Sequence, residues 1–104
     1  METKNGIVCV NCNVDITGTS YHGVSIQTTA QKLIDALGKP ICGGDKVNYE
    51  WDIKVEHEGR EIVATVYDWK EGNIGLDDKI YFNIGGTNAS DEAIVRDYIE
   101  TLLS

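Results

Sequence analysis

The residues of this 104-residue chain whose types could do chemistry are three cysteines, two histidines, a tryptophan followed by a lysine, and a glycine pair ahead of a helix. Cys9 and Cys12 stand at the C-x-x-C spacing of a zinc knuckle or a redox pair, and Cys42 with His22 or His57 could complete four ligands. A structural zinc site would show a second paired motif, and a thioredoxin-like site would open a helix after a strand. Here CVNC runs into Asn13-Val14-Asp15. Ordinary reduced thiols are the expectation, with metal binding and a disulfide or redox role as the alternatives. Nucleophilic catalysis is poorly provided for. No nucleophile sits in a strand-turn-helix elbow, and neither histidine has a neighbour that marks it as a base. His57, between Glu56 and Glu58 at a turn, reads as solvated, and Asp77-Asp78 reads as the polar part of a glycine-bearing loop. Gly85-Gly86-Thr87 has the general form of an anion-binding turn. It lacks the lysine of a P-loop and the third glycine of a dinucleotide fingerprint. No catalytic residue, metal ligand or cofactor is expected.

What remains is binding chemistry. Trp69-Lys70 offers a flat π surface beside a cation, and Arg96 stands among Asp97 and Glu100. A purine can stack on the tryptophan while lysine and arginine clamp a phosphate. The alternative is that Trp69 is a core or interface aromatic and Arg96 pairs with acids on its own helix.

The elements that must position these residues follow from periodicity. In KVNYEWDIKVEHEGREIVATVYDWK, Val47, Tyr49, Trp51, Ile53 and Val55 fall on one face and Asn48, Glu50, Asp52, Lys54 and Glu56 on the other, as in a half-buried strand. After His57-Glu58-Gly59-Arg60 the chain returns with Ile62, Ala64 and Val66 on one side and Val63, Thr65, Tyr67 and Trp69 on the other, which predicts a β-hairpin. Its second strand, apolar on both faces, needs a helix on one and a further cover, such as another subunit, on the other. Ile7 to Val10 reads as a short strand or extended arm within residues 1–19, and Tyr21 to Ile26 as a second short strand. A helix follows with Thr28 as N-cap, Gln31 as capping partner, a stripe of Ala30, Leu33, Ile34 and Leu37, and a stop at Gly38 and Pro40. Lys79 to Ile84 is a further strand that Gly85-Gly86 should break. Ser90 caps a last helix with Asp91 and Glu92 in its first turn and Ala93, Ile94, Tyr98, Ile99, Leu102 and Leu103 inward. The order βαβββα, with one further strand at the N-terminus, predicts an α+β fold: a small antiparallel sheet with one helix before the central hairpin and one at the C-terminus.

A chain of this length makes one domain, residues 1–104, able to fold without metals or disulfides. No run approaches a transmembrane length, and METKNGIVCVNC lacks the parts of a signal peptide, so a cytosolic protein without a membrane partner is expected. The formal charge of −8 argues against a surface for duplex DNA or RNA. The acids are too dispersed to imitate a phosphate backbone and serve solubility.

From Gly18 to Leu103 the chain resembles a group of small phage proteins, through Gly18-Thr19-Ser20-Tyr21-His22-Gly23, Leu37-Gly38-Lys39-Pro40, Lys46-Val47, Glu50-Trp51, Val63-Ala64-Thr65-Val66-Tyr67-Asp68-Trp69-Lys70 and Ile84-Gly85-Gly86. The family is the Thoeris anti-defence proteins that act as sponges for nucleotide immune signals. The resemblance implies no turnover: such proteins bind cyclic ADP-ribose isomers, and some bind cyclic oligonucleotides, within homo-oligomers in the cytoplasm of the infected bacterial host. Carried onto this chain, it implies Trp69 as stacking aromatic and Arg96 as phosphate ligand, with Lys46, Lys70 and Asn83 as further polar partners. The segment CVNCNVDIT departs from the pattern, and a net charge of −8 demands a locally positive pocket, as where basic residues of two subunits converge. The competing reading is an acidic phage protein that inhibits a host defence enzyme, a nuclease or CRISPR effector, by direct protein binding. A third is an accessory domain that only oligomerises through the apolar second strand.

Overall fold

A computed structural model describes residues 6–12, 14–41, 47–69 and 75–103. Five strands and two helices follow in the order β1 (Gly6–Val10), β2 (Ser20–Thr29), α1 (Ala30–Leu37), β3 (Glu50–His57), β4 (Arg60–Tyr67), β5 (Lys79–Gly86) and α2 (Ala89–Leu103). The strands form one antiparallel sheet in the order β1-β3-β4-β5-β2, so the β3-β4-β5 meander is central and the two N-terminal strands close its edges. This is the expected α+β fold.

The β3-β4 hairpin turns on two residues, Glu58 and Gly59, both with positive φ (49° and 82°), the geometry whose twist matches that of paired strands. The short turn leaves no slack in the register: Trp51 pairs with Val66, Ile53 with Ala64 and Val55 with Ile62. Those six side chains point to one face and are buried with Ile26, Phe82 and Ile84 of the neighbouring strands, Ala30 and Leu33 of α1, and Val95 and Ile99 of α2. Of the five positions expected inward on β3, Trp51, Ile53 and Val55 are fully buried, roughly 5–9 kcal/mol of gross burial energy, while Val47 and Tyr49 are half-buried because the strand begins only at Glu50. Both helices cover this face. Trp51 anchors α1 by donating from Nε1 to the Gly38 carbonyl at 2.8 Å, where a φ of +96° ends the helix.

Several boundaries differ from those read in the sequence. Thr28 is the buried penultimate residue of β2, and Thr29 is the N-cap of α1, accepting from the Lys32 backbone N–H at 3.2 Å. Gly85 and Gly86 continue β5 because Gly85 pairs with Tyr21 of β2 and Thr65 of β4 and Gly86 pairs with Ser20 of β2. Asn88, not Ser90, caps α2: its Oδ1 accepts from the Asp91 N–H at 2.8 Å. Val95 joins the inner face of α2, whereas Leu102 is exposed. Arg60 donates to Asp91 at 2.9 Å, tying the hairpin turn to the first turn of α2 and holding the Asp91 carboxyl below the usual carboxylate range. Among the described residues no helix is long and apolar enough to cross a membrane.

Candidate functional site

The face of the sheet turned away from the helices is where binding chemistry gathers. Because Glu50 pairs with Tyr67, Asp52 with Thr65, Tyr67 with Asn83 and Thr65 with Gly85, these side-chain positions share that open face. Trp69 extends the row, its ring edge-on to Tyr67 with centroids 6.4 Å apart. Of these positions Glu50, Thr65, Tyr67, Trp69 and Gly85 border a hollow of about 260 Å³. Thr65, Tyr67 and Gly85 form its floor, Glu50, Val47 and Trp69 one wall, and Ile16, Thr19 and Ser20 of the chain entering β2 the other. A Cβ at Gly85 would lie 3.1 Å from Cγ2 of Thr65 and 3.4 Å from the Ser20 carbonyl oxygen, so glycine here lets β2 and β4 approach the floor.

The aromatic end is held by a buried carboxylate. Asp68, between Tyr67 and Trp69, is fully buried and accepts from the backbone N–H groups of Asn48 at 2.9 Å and Tyr49 at 2.7 Å and from Asn48 Nδ2 at 2.8 Å. It therefore ties the end of β4 to the approach to β3 and sets the direction in which Trp69 leaves the sheet. Trp69 itself is 47% exposed, which removes the reading of a core aromatic.

The electrostatics of the wall are unusual. Partial burial, followed by the hydrogen bond and negative charge of Asp52, pushes the Glu50 carboxyl up to about 7. Asp52 Oδ1 is buried and has no hydrogen-bond partner among the described residues. Desolvation, then the charges of Tyr21, Glu92 and Glu50, pushes the Tyr67 hydroxyl up as well, so it stays a neutral donor. Thr65 Oγ1 is buried and unpartnered among the described residues. The described lining of the hollow carries no cation.

Of the residues predicted from sequence, Trp69 and Asn83 come to the open face beside Tyr67. Arg96 does not. It lies on α2, across the sheet, with Nε 3.4 Å from Glu100 and 3.7 Å from Asp97, the pairing anticipated as its alternative. Lys46 and Lys70 lie outside the described residues, although Val47 and Trp69, their neighbours in sequence, both line the hollow. A larger groove of about 470 Å³ on the helix side is bordered by Lys32, Lys79 and Glu100 and offers cations without an aromatic wall. Glu50, Asp52, Thr65 and Tyr67 were not among the sequence candidates. Their signal was present in the two-residue turn, which dictates that Glu50 faces Tyr67 and Asp52 faces Thr65.

The histidines and cysteines also find partners. His22 Nδ1 makes a close contact with Oε2 of the fully buried Glu92, which sits in the room left by the missing Cβ of Gly86. Ser20 Oγ lies 3.4 Å from Nε2 of the same ring, the long limit of a hydrogen bond, and this array fastens β2 to α2. His57 is not a solvated turn residue: its Nδ1 is 2.7 Å from the Tyr98 hydroxyl. The sulfurs of Cys9 and Cys12 lie against each other at the end of β1, with Cα atoms 6.0 Å apart, a separation that a disulfide can span. Cys42 lies outside the described residues. Among the described residues no group of three His, Cys, Asp or Glu side chains could hold a metal ion.

Comparison of the chain with protein-family models, with curated proteins and with solved structures finds no match.

Proposed function

We infer that the protein is a non-catalytic binder that takes the base of a nucleotide into the hollow against Trp69 and Tyr67, and that its role is the sequestration of a nucleotide immune messenger. The observation that carries this reading is the hollow itself, with two aromatic rings and Asn83 on one open sheet face. At about 260 Å³ it lies just below the range of pockets that enclose a whole drug-sized ligand, and suits one part of a larger molecule. Stacking on an aromatic side chain is worth roughly 1–3 kcal/mol per base. The family resemblance narrows the ligand to cyclic ADP-ribose isomers or cyclic oligonucleotides, and the setting to the cytoplasm of a phage-infected bacterium.

Trp69 and Arg96 of one chain stand on opposite sides of the sheet, so both reach one ligand only across a contact between copies. A homo-oligomer is the arrangement that gives the phosphates their cations, with Arg96 of one protomer and Lys46 and Lys70 of its partner as the ligands. The test is calorimetry and thermal shift with a panel of cyclic ADP-ribose isomers and cyclic di- and trinucleotides, followed by recovery of the ligand after heating. Saturable binding that raises the melting temperature, is lost in Trp69→Ala and releases intact ligand is expected. No binding to any member refutes the reading.

One observation favours direct inhibition of a host enzyme instead: Tyr21, Trp69 and Tyr81 are 49%, 47% and 61% exposed in a protein of charge −8. On that reading Tyr81→Ala weakens capture of the partner protein, and nucleotides have no effect.

A further inference from the structure

We propose that Cys9 and Cys12 form a reversible dithiol/disulfide site that exchanges with a low-molecular-weight disulfide and that the fold holds ready to close. The site is independent of the nucleotide reading and uses none of the residues that line the hollow. In a continuous strand, residues three apart stand about 10 Å from each other at Cα. Cys9 and Cys12 stand 6.0 Å apart, inside the window of roughly 4.4–6.8 Å that a disulfide spans. Two departures from regular strand geometry bring them together. A bulge shifts the pairing of β1 with β3 between Ile7 and Cys9, and Asn11 takes a positive φ of 56°. The bulge re-aims the side chains that follow it, and left-handed Asn11 turns the chain back on itself after β1.

The rest of the fold imposes this turn. The Asn11 backbone N–H donates to the Asp52 carbonyl at 2.7 Å, its Oδ1 accepts from the Asp52 N–H at 2.7 Å, and its Nδ2 donates to the Lys39 carbonyl at 3.0 Å. β3 and the segment after α1 therefore fix the residue that stands between the cysteines. In the dithiol, the Cys9 thiol donates to the Cys12 carbonyl at 3.3 Å, so the reduced pair stays together as well. Cys12 is exposed and Cys9 half-buried, which divides their roles. The Cys12 thiolate attacks glutathione disulfide: a bond forms between Cys12 and one glutathione sulfur, the glutathione S–S bond breaks, and the other glutathione leaves as thiolate. The Cys9 thiolate then attacks the Cys12 sulfur, the internal disulfide forms, and the second glutathione leaves. Two electrons pass from the cysteine pair to glutathione disulfide, and the two cysteine protons go to the glutathione thiolates. The closed loop runs only from Cys9 to Cys12 and constrains little of the unfolded chain, which suits an exchangeable bond rather than a structural staple.

The test equilibrates the full chain carrying Cys42→Ser with glutathione and glutathione disulfide over a series of ratios, quenches with acid, alkylates with N-ethylmaleimide and weighs the intact protein. One transition is expected, between a form with both thiols alkylated and a form with neither. Its equilibrium constant should exceed that of the same chain in concentrated urea by roughly tenfold or more, because the native backbone has already brought the sulfurs together. Asn11→Ala, which removes the side-chain bonds and disfavours a positive φ, should lower the native constant by about tenfold, or about 30 mV for a two-electron couple. Asn11→Gly keeps the positive φ without the side-chain bonds and should fall between the two. Cys9→Ser should stop at the mixed disulfide on Cys12. Equal constants in the native chain and in urea overturn the inference that the fold holds the pair ready, and that comparison decides the point if Asn11→Ala does not fold. Mixed disulfides without closure, or no oxidation at any ratio, overturn the couple itself. In the wild type, peptide mapping that joins Cys9 or Cys12 to Cys42 overturns the pairing.

Discussion

Replacing Asp68 by alanine should destabilise this protein more than any other single truncation of a polar side chain near the hollow. The carboxylate is fully buried and accepts from three donors: the backbone N–H groups of Asn48 and Tyr49 and the side-chain amide of Asn48. A hydrogen bond to a charged group contributes roughly 1.5–3 kcal/mol, and a buried donor left without a partner is penalised by a similar amount. Asn48 is exposed and can turn its groups to water, whereas the half-buried Tyr49 N–H cannot do so freely. The expected loss is therefore about 3–5 kcal/mol, below the sum of three full terms. For a domain of this size about 1 kcal/mol moves the melting temperature by roughly 5 °C, which predicts a fall of roughly 15–25 °C. Urea unfolding followed by the combined fluorescence of Trp51 and Trp69 measures the free energy. Asp68→Asn, which keeps one acceptor but turns an amide donor toward N–H groups, should fall between wild type and alanine. A loss under about 1 kcal/mol for Asp68→Ala with an unchanged urea dependence would refute the argument that this carboxylate holds the start of β3 to the end of β4.

Two further perturbations follow from the sheet. The Glu50 carboxyl is raised in the folded state to about 7 from an ordinary value of 4.5, by burial first and Asp52 second, so the native protein binds that proton more tightly than the unfolded chain. Its contribution is most favourable below pH 4.5, declines as pH rises toward 7 and is level above that. After discounting for solvent screening at a half-buried site, Glu50→Gln should stabilise the protein by roughly 1–2 kcal/mol at pH 8 relative to wild type and flatten this part of the pH profile. Urea melts at pH 5 and pH 8 decide it, and identical pH slopes in the two proteins would exclude the coupling. Gly86→Ala places a Cβ 2.7 Å from Cγ of the buried Glu92 and should destabilise by roughly 1–3 kcal/mol. Glu92→Ala in the same chain should recover part of that loss, and a double-mutant cycle without coupling would show that the two positions do not press on each other.

Much of the scaffold was legible in local sequence because the signals act over a few residues. Alternation marked β3 and β4, Glu58-Gly59 marked the turn between them, and the inward stripe with Gly38 and Pro40 marked α1. Caps were off by one or two residues, at Thr29 for Thr28 and Asn88 for Ser90, because several adjacent side chains can accept the same kind of backbone hydrogen bond and local pattern does not rank them. Gly85-Gly86 was read as a break because glycine weakens an isolated strand. In the sheet, β2 and β4 flank β5 and supply the pairing that propensity alone withholds.

The site divides along the same line. Residue type was enough to single out Trp69, and net charge to argue against a nucleic acid duplex, because charge and an aromatic π face are properties of side chains wherever they stand; Asn83 entered only through the family resemblance. Which of them share a surface was decided by tertiary structure. Pairing across β3, β4 and β5 brought Glu50, Asp52, Thr65, Tyr67 and Asn83 to one face with Trp69, while the packing of α2 on the opposite face carried Arg96 away from them. The raised Glu50 carboxyl, the unpartnered Thr65 hydroxyl and the His22 contact with buried Glu92 exist only after folding, since each arises when strands distant in sequence remove water from groups that the unfolded chain leaves solvated.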